Sequence, residues 1–467
     1  MTTDGDTAAG ATGDDDRNDD VAPTTPTIEV PASVRRDERF VPRVTGLSPE
    51  ARVRIDLTTS DGAGEWRSTG TFVADDDGVV DLETTAPEAG SYAGRPTVDP
   101  DAPTVERAPA DPMGLVWSLA PESDASRAFD WTPTGSHDLE WTVRPTDDDA
   151  ATDAAATATE AEPLARATTT VHHTDPDVER HAPAAGHPDG WFEPAGDGPH
   201  PAVVVLHGSG GQSVEATAAL LAAHGFAAFA CRWLGADDFP EAPREVPLER
   251  VAEAIDWFRD RDVVRSTGYG IWGVSMGAQL ALHLAVRDDA VDAVVADSGG
   301  HVRYFGGDTG SWTEDGDVLP YVDRRRAPPT TFQSERDGAT VGRELFTQML
   351  EAADREERDA ATVPFEDASA DLLWLSGSDD ANWPAATFGN MLLARLDALG
   401  YEREYEHDVY HDAGHAIGVA NDPTTWRPAH DDVPVAFGGT PEDAASAAAA
   451  AWPRVLERFE RSLADPR

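Results

Sequence analysis

The five residues Gly273-Val274-Ser275-Met276-Gly277 constrain this chain more than any other stretch. An apolar run with Tyr269, Ile271 and Trp272 precedes them, and the helical pattern AQLALHLA follows. Strand, sharp turn, helix is the context that a G-x-S-x-G motif requires. There the turn forces the serine into a strained backbone conformation, and the flanking glycines leave room for it. The hydroxyl then stands at the carboxyl end of a sheet, with a helix N-terminus beneath it. The plainer reading is a Gly-rich turn with an incidental serine. It holds unless an acid and a histidine follow in order.

Patterning divides the chain of 467 residues into three parts. Residues 1–25 are rich in Asp, Thr, Ala and Gly and read as a solvated acidic tail. Residues 26–173 carry short alternating runs at 51–60, 65–74, 78–83, 114–121, 137–145 and 165–173. Six or seven strands at turn-like spacing predict an all-β sandwich, interrupted by an acidic low-complexity insertion at 147–163. This part shows no clustered catalytic residues. His172-His173 has no third ligand nearby in sequence, so it reads as ordinary edge-strand histidine and no metal site is expected.

From 174 to 467 apolar strands alternate with amphipathic helices. Strands are expected at 200–208, 227–233, 291–299 and 371–377, with helices at 214–225, 247–262 and 385–400. The stretch 300–365 is irregular but contains one helical pattern, 342–360. Thr440-Pro441-Glu442-Asp443 is a strong helix start, and Pro453 is expected to kink the helix that follows. Continuous apolar strands suit a parallel sheet buried on both faces. The fold class is therefore α/β, a doubly wound sheet preceded by the sandwich.

Composition removes several functions. The 36 cations are all arginine, so a Schiff-base, P-loop or general-base lysine is impossible. The lone cysteine, Cys231, lies in an apolar run and reads as an inert core residue. It cannot form an internal disulfide or a Cys-based zinc site. No run of 18 apolar residues occurs, and the N-terminal residues lack a basic and apolar leader, so a cytoplasmic location is expected. The net charge of −51 opposes nucleic acid and anionic membranes.

An acid and a histidine do follow the serine. Asp380 lies in the turn GSDDANW after the strand DLLWLS, and His415 lies in the loop HDAGHAI after the last strand. Ser…Asp…His is the α/β-hydrolase order, and each residue occupies the C-terminal end of its strand. His415 would take the serine proton while a carboxylate holds the imidazole tautomer. Asp379 competes with Asp380 for the acid role, and His407 and His411 compete with His415. The oxyanion hole needs two backbone N–H groups. Met276 supplies one, and Ser209 of HGSGG the other, with Gly210 as the alternative. HGSGG lacks the lysine and the spacing of nucleotide-binding loops, so no cofactor is expected.

The stretches DPMGLVWSL, VLHGSGG, ATAALLAAHGFAAFA, AIDWFRDRDVVRSTGYGIWGVSMGAQLAL, GSDDANW and DAGHAI together carry a resemblance. The chain resembles the family of acyl-CoA thioesterases and bile-acid-CoA:amino acid N-acyltransferases over most of residues 26–420. The resemblance implies an immunoglobulin-like N-terminal domain, an α/β-hydrolase domain, and a triad of Ser275, Asp380 and His415. Acyltransferase members tend to carry cysteine as nucleophile, so serine here implies hydrolysis of acyl-CoA rather than transfer. Arg303 and Arg324, within Arg324-Arg325-Arg326, are candidates to meet the anionic CoA, although pairing with surface carboxylates is the plainer role. A carboxylesterase or dienelactone-hydrolase-like enzyme is the alternative within enzymes. A binding protein on a degenerate hydrolase scaffold is the alternative outside them.

So large a negative charge self-repels in dilute buffer, whereas molar salt shortens the screening length to about 3 Å. A salt-adapted protein is the expectation. Raising KCl from about 0.1 M to about 2 M should raise the thermal unfolding midpoint and the activity. Unchanged folding and activity in salt-free buffer would overturn this.

Overall fold

The computed structural model describes residues 25–92, 110–123, 126–146, 162–182, 189–235, 239–306, 308–328, 335–336, 338–425, 429–430 and 433–464. The expected acidic tail, apart from residue 25, and residues 147–161 of the expected insertion lie outside these.

The larger sheet has eight strands: β1 Glu179–His181, β2 Trp191–Glu193, β3 His200–Leu206, β4 Ala227–Cys231, β5 Val264–Val274, β6 Val291–Asp297, β7 Asp371–Gly377 and β8 Tyr405–Tyr410. Their spatial order is β1-β2-β4-β3-β5-β6-β7-β8. The first two are antiparallel to their neighbours, and β3 to β8 pair in parallel. This is an α/β-hydrolase sheet. Six principal helices surround it or cap it: α1 Glu215–Ala223, α2 Leu248–Arg259, α3 Met276–Arg287, α4 Arg343–Ala352, α5 Ala385–Leu399 and α6 Pro441–Ser462.

The near-continuous apolar strands follow from two buried faces. Along β3, Ala202, Val204 and Leu206 point to one core, with Val251, Ile255 and Phe258 of α2, Leu280 of α3 and Leu392 of α5. The alternate residues Val203 and Val205 point to the other, with Leu221 of α1 and Trp452, Val455 and Phe459 of α6. A period of two therefore distributes one apolar run between two helical layers. Parallel pairing also brings the C-terminal ends of β3, β5, β6, β7 and β8 to one edge of the sheet.

The N-terminal strands form two sheets. The main one is built on Arg52–Ser60, Glu65–Val73, Ser136–Pro145 and Ala165–His172. A three-stranded sheet of Thr27–Glu29, Arg43–Thr45 and Val80–Asp81 accompanies it. Val44 and Val80 of the small sheet share a core with Ile55, Leu57, Trp66, Phe72, Leu139 and Trp141 of the large one. Sheet membership changes between His172 and Glu179.

Two local expectations need correction. The stretch 114–121, expected as a strand, begins with a helical turn, Gly114–Trp117, and keeps only the two-residue strand Ala120–Pro121. Asp111 braces that turn from outside, accepting the Met113 N–H (2.9 Å) and the Trp117 indole N–H (2.7 Å). The helical pattern at 342–360 is two helices, because the Asp354 carboxylate accepts the Glu357 N–H at 2.9 Å and caps a new one, Arg355–Ala361. Pro453 lies inside α6, which stays helical from Pro441 to Ser462. Its neighbours Trp452 and Val455 are buried against the sheet, so packing holds the helix across the missing N–H.

Of the histidine pair in the N-terminal part, His172 ends its strand and His173 packs inward. His173 Nδ1–H donates to the Thr132 carbonyl (2.6 Å), so its Nε2 accepts from His137 Nδ1–H (2.9 Å). Both rings are neutral in this arrangement. Burial pushes His137 down to about 3 and lowers His173. The unfolded chain takes up a proton near pH 6.5 where the folded one does not. This contribution to stability is therefore present above that pH and is lost as the pH falls. On going from about pH 7.5 to about pH 5, the wild type should lose about 1–2 kcal/mol more than His137→Leu. Chemical denaturation in high salt reads the difference, and equal losses would refute it.

Candidate active site

Ser275 sits between β5 and α3 with φ 56° and ψ −118°, a left-handed conformation that non-glycine residues rarely adopt. Two close approaches explain the flanking glycines. A Cβ on residue 273 would lie 2.1 Å from the Gly277 carbonyl oxygen, and one on residue 277 would lie 2.4 Å from that of His207. The Ser275 N–H donates to the Asp297 carbonyl at the end of β6 (2.8 Å), and the Ser275 carbonyl accepts the Ala278 N–H (3.1 Å). The turn is thus tied to the next strand and to its own helix.

The other two triad candidates meet it there. His415 Nδ1 donates to Asp380 Oδ2 (2.8 Å), because a carboxylate can only accept. Its Nε2 is then free to accept from Ser275 Oγ, 3.0 Å away. Asp380 Oδ1 accepts the N–H groups of Asn382 and Trp383, both at 2.9 Å. The Asn-Trp of GSDDANW therefore marks the turn that aims the carboxylate. All three side chains are buried. Burial pulls the His415 pKa down, but the charge and hydrogen bond of Asp380, with Asp297 adding, outweigh it and raise the pKa above the ordinary value.

The competing residues do other work. Asp379 Oδ2 accepts the Gly439 N–H (3.0 Å) and Arg336 Nη1 (2.7 Å), which shapes the turn beside Asp380. His407 lies within β8, bonded to Ser376 Oγ (2.8 Å) and Asn390 Oδ1 (3.1 Å). His411 is exposed and paired with Asp412.

The oxyanion candidates flank the serine. Met276 is the first residue of α3, where helix N–H groups lack intrahelical acceptors. Gly208 lies against the nucleophile, since a Cβ there would meet Ser275 Cβ at 3.3 Å. Ser209 and Gly210 follow it in an exposed turn.

Five residues near the site, His207, Trp233, Arg343, Asp297 and Phe437, were not singled out from sequence. His207 Nδ1–H donates to the Gly208 carbonyl (2.6 Å), while its Nε2 accepts the Trp233 N–H (3.1 Å). The two rings stack at 5.0 Å, and His207 with Trp233 thereby fixes the loop after β3. Arg343 donates to the carbonyls of Ser378 and Asp380, each at 3.1 Å, and clamps the acid turn. Asp297 is fully buried and accepts from Ser298 Oγ (3.0 Å), and burial pushes its carboxyl up to about 7. An acid ending a buried strand was the signal for Asp297; His207 and Arg343 offered none. Phe437 accepts the His415 N–H with its carbonyl (2.8 Å), and its ring packs on the imidazole at 5.1 Å.

Arg303 is not presented to a ligand. It is buried, its Nε donates to the Pro320 carbonyl (2.9 Å), and its Nη2 to those of Ala360 (2.6 Å) and Thr362 (3.2 Å). Burial lowers its pKa to about 10. It holds together the irregular stretch 300–365. Arg324 begins an exposed turn in which Arg325 pairs with Asp323 and Arg326 with Glu357.

Among the described residues one group has metal-ligand spacing. Glu179, His181 and Glu193 bring their ligand atoms within 4.8 Å of one another. It lies on β1 and β2, at the sheet edge away from Ser275. There His181 Nε2 is bonded to Glu193 (2.9 Å).

Comparison with known proteins gives concordant matches. The family model described as BAAT/acyl-CoA thioester hydrolase C terminal matches residues 246–465. The model for the acyl-CoA thioester hydrolase/BAAT N-terminal region matches residues 37–100. Acyl-coenzyme A thioesterase 1 of Homo sapiens is 28% identical over 440 residues, covering 91% of this chain and 94% of its own. Mitochondrial acyl-coenzyme A thioesterase 2 of Homo sapiens is 28% identical over 434 residues, covering 91% and 82%. Among solved structures, a putative dienelactone hydrolase from Klebsiella pneumoniae aligns with TM-score 0.37 and 18% identity, over 61% of this chain and 98% of that one.

The arrangement can move a proton from the Ser275 hydroxyl to His415 under the hold of Asp380. His415 must be neutral to accept it. Labelling of Ser275 by a fluorophosphonate should therefore fade as pH falls through a value above 6.5. Asp380→Asn should slow labelling by about 10⁴-fold and move that limb to lower pH. A limb unchanged in Asp380→Asn would refute the assignment.

Proposed function

We propose that this chain, which belongs to the acyl-CoA thioester hydrolase/BAAT family, hydrolyses acyl-CoA to free acid and CoA through an acyl-enzyme on Ser275. The observation that carries the reading is His415 Nε2 at 3.0 Å from Ser275 Oγ, with Nδ1 held by Asp380. Ser275 Oγ attacks the thioester carbonyl as His415 takes its proton. The oxyanion that forms is met by the N–H groups of Met276 and Ser209. The C–S bond breaks, and His415 returns the proton to the departing thiolate. Water then enters, His415 removes its proton, and the ester to Ser275 is cleaved, which regenerates the hydroxyl. A serine nucleophile supports water as the acceptor.

The proposal divides the chain into a sandwich domain, 26–173, and a catalytic domain, 174–467, supported by the change of sheet between His172 and Glu179. Arg324 remains a candidate contact for the CoA phosphates, and Arg303 does not. A salt-rich cytoplasm is the proposed setting, supported by the acidic, lysine-free composition. Among the described residues no helix is long and apolar enough to cross a membrane.

The test is release of CoA thiol from acyl-CoAs of several chain lengths in high salt, with mass spectrometry of the acylated serine. Cys231 is fully buried and its thiol is pushed well above its ordinary pKa, so a thiol reagent has little background. Ser275→Ala should lose about 10⁶-fold in turnover. Cleavage of p-nitrophenyl esters without cleavage of acyl-CoAs would replace this reading with an oxygen esterase. Absence of any adduct at Ser275 would replace it with a binding protein.

A further inference from the structure

The segment 413–425 has His415 near one end and the N-terminal sheets at the other. Between these ends it is held at several points. Ile417, Val419 and Ala420 are buried. Asn421 adopts φ 67°, and its side-chain amide donates to the carbonyls of Arg36 (3.4 Å) and Glu38 (3.3 Å). Asp422 receives the Arg36 guanidinium as a fork: Nε donates to Oδ1 (2.7 Å) and Nη2 to Oδ2. The Thr424 N–H donates to the Trp117 carbonyl (3.0 Å).

Arg36 is itself anchored. Its N–H donates to the His172 carbonyl (2.8 Å), which ties it to the main N-terminal sheet. Its guanidinium lies 4.0 Å from the centre of the Trp131 ring and is almost completely buried. Arg36, Phe40, Trp131, His137, Asn421 and Pro423 line a cavity of about 20 Å³ in the seam, room for about one water molecule. Apolar contact has no direction of its own, whereas a bidentate guanidinium–carboxylate pair fixes both distance and orientation.

We infer that Arg36 is a positioning residue for His415: through Asp422, the N-terminal sheets hold the segment that aims the imidazole at Ser275. Arg36 touches neither the serine nor the imidazole. The inference rests on the Ser275–His415 chemistry proposed above, and not on the identity of the ester.

The test compares wild type, Arg36→Met, Arg36→Lys and Asp422→Asn in high salt, well below their melting temperatures. The primary readout is the rate at which a fluorophosphonate labels Ser275, with kcat and KM for acyl-CoA beside it. A displacement of about 1 Å at a reacting group costs about 10²-fold. Folded Arg36→Met should label about 10- to 100-fold more slowly, with kcat lowered and KM within about twofold. Arg36→Lys should recover part of the rate, because it keeps the charge but not the fork. A pair that only stabilises the fold would lower the melting temperature and leave labelling of the folded variants at the wild-type rate, which overturns the inference. Should Arg36→Met fail to fold, Asp422→Asn and Arg36→Lys decide by the same readouts. Wild type that labels but does not cleave acyl-CoA removes the thioesterase reading alone. Normal labelling in all folded variants removes the positioning role alone.

Discussion

The left-handed backbone at Ser275 is the constraint on which the rest of the site depends. A non-glycine residue in such a conformation costs about 1–3 kcal/mol and persists only where its surroundings over-determine it. Here β5 lies between β3 and β6 with both faces buried, and α3 packs directly behind the turn. The Ser275 N–H is committed to Asp297 and its carbonyl to Ala278, so relaxing the serine would unpair both. Strain is thus held in place by the sheet and the helix, and its product is a hydroxyl that points out of the turn toward His415.

The remaining members of the site are loops, and each is fastened by a different device. The acid turn is closed by the Asn382 and Trp383 N–H groups and clamped from outside by Arg343. The loop after β3 is locked by the stacked His207–Trp233 pair. The histidine loop is fixed at Phe437 and, further along, at the N-terminal sheets. The parallel sheet brings these loops to one edge, but hydrogen bonds set their positions to the few tenths of an ångström that proton transfer requires.

Periodicity and chain order made the frame legible. The strands β3 to β7 are apolar runs because both faces are covered. The candidate triad could be read because Ser275, Asp380 and His415 each follow one of the central or C-terminal strands. Local capping was harder to see. Asp354 caps a new helix and so breaks one helical pattern into two, while Asp111 braces the helical turn in the apolar run at 114–121. Arg303 looked like a surface cation because nothing in its neighbourhood announces the three carbonyls, from residues 320, 360 and 362, that surround it. Contacts between residues distant in the chain, such as Arg36 with Asp422, leave no local trace at all.

Two carboxyl groups act on one imidazole, Asp380 by contact and Asp297 by its charge, and their surroundings differ. Asp380 carries three donors, from His415, Asn382 and Trp383, so its negative charge is satisfied where it is needed. Asp297 has the Ser298 hydroxyl on Oδ1 but leaves Oδ2 buried without a partner, and it takes up a proton at about 7. Were both permanently ionised, the imidazolium would be stabilised twice over, and His415 would hold its proton when it should receive one from Ser275. Because Asp297 neutralises as the pH falls, it withdraws its support from the imidazolium over the range in which His415 begins to protonate. Asp297 acts on His415 more weakly than Asp380 does, so its neutralisation trims the support of the imidazolium while Asp380 sets it.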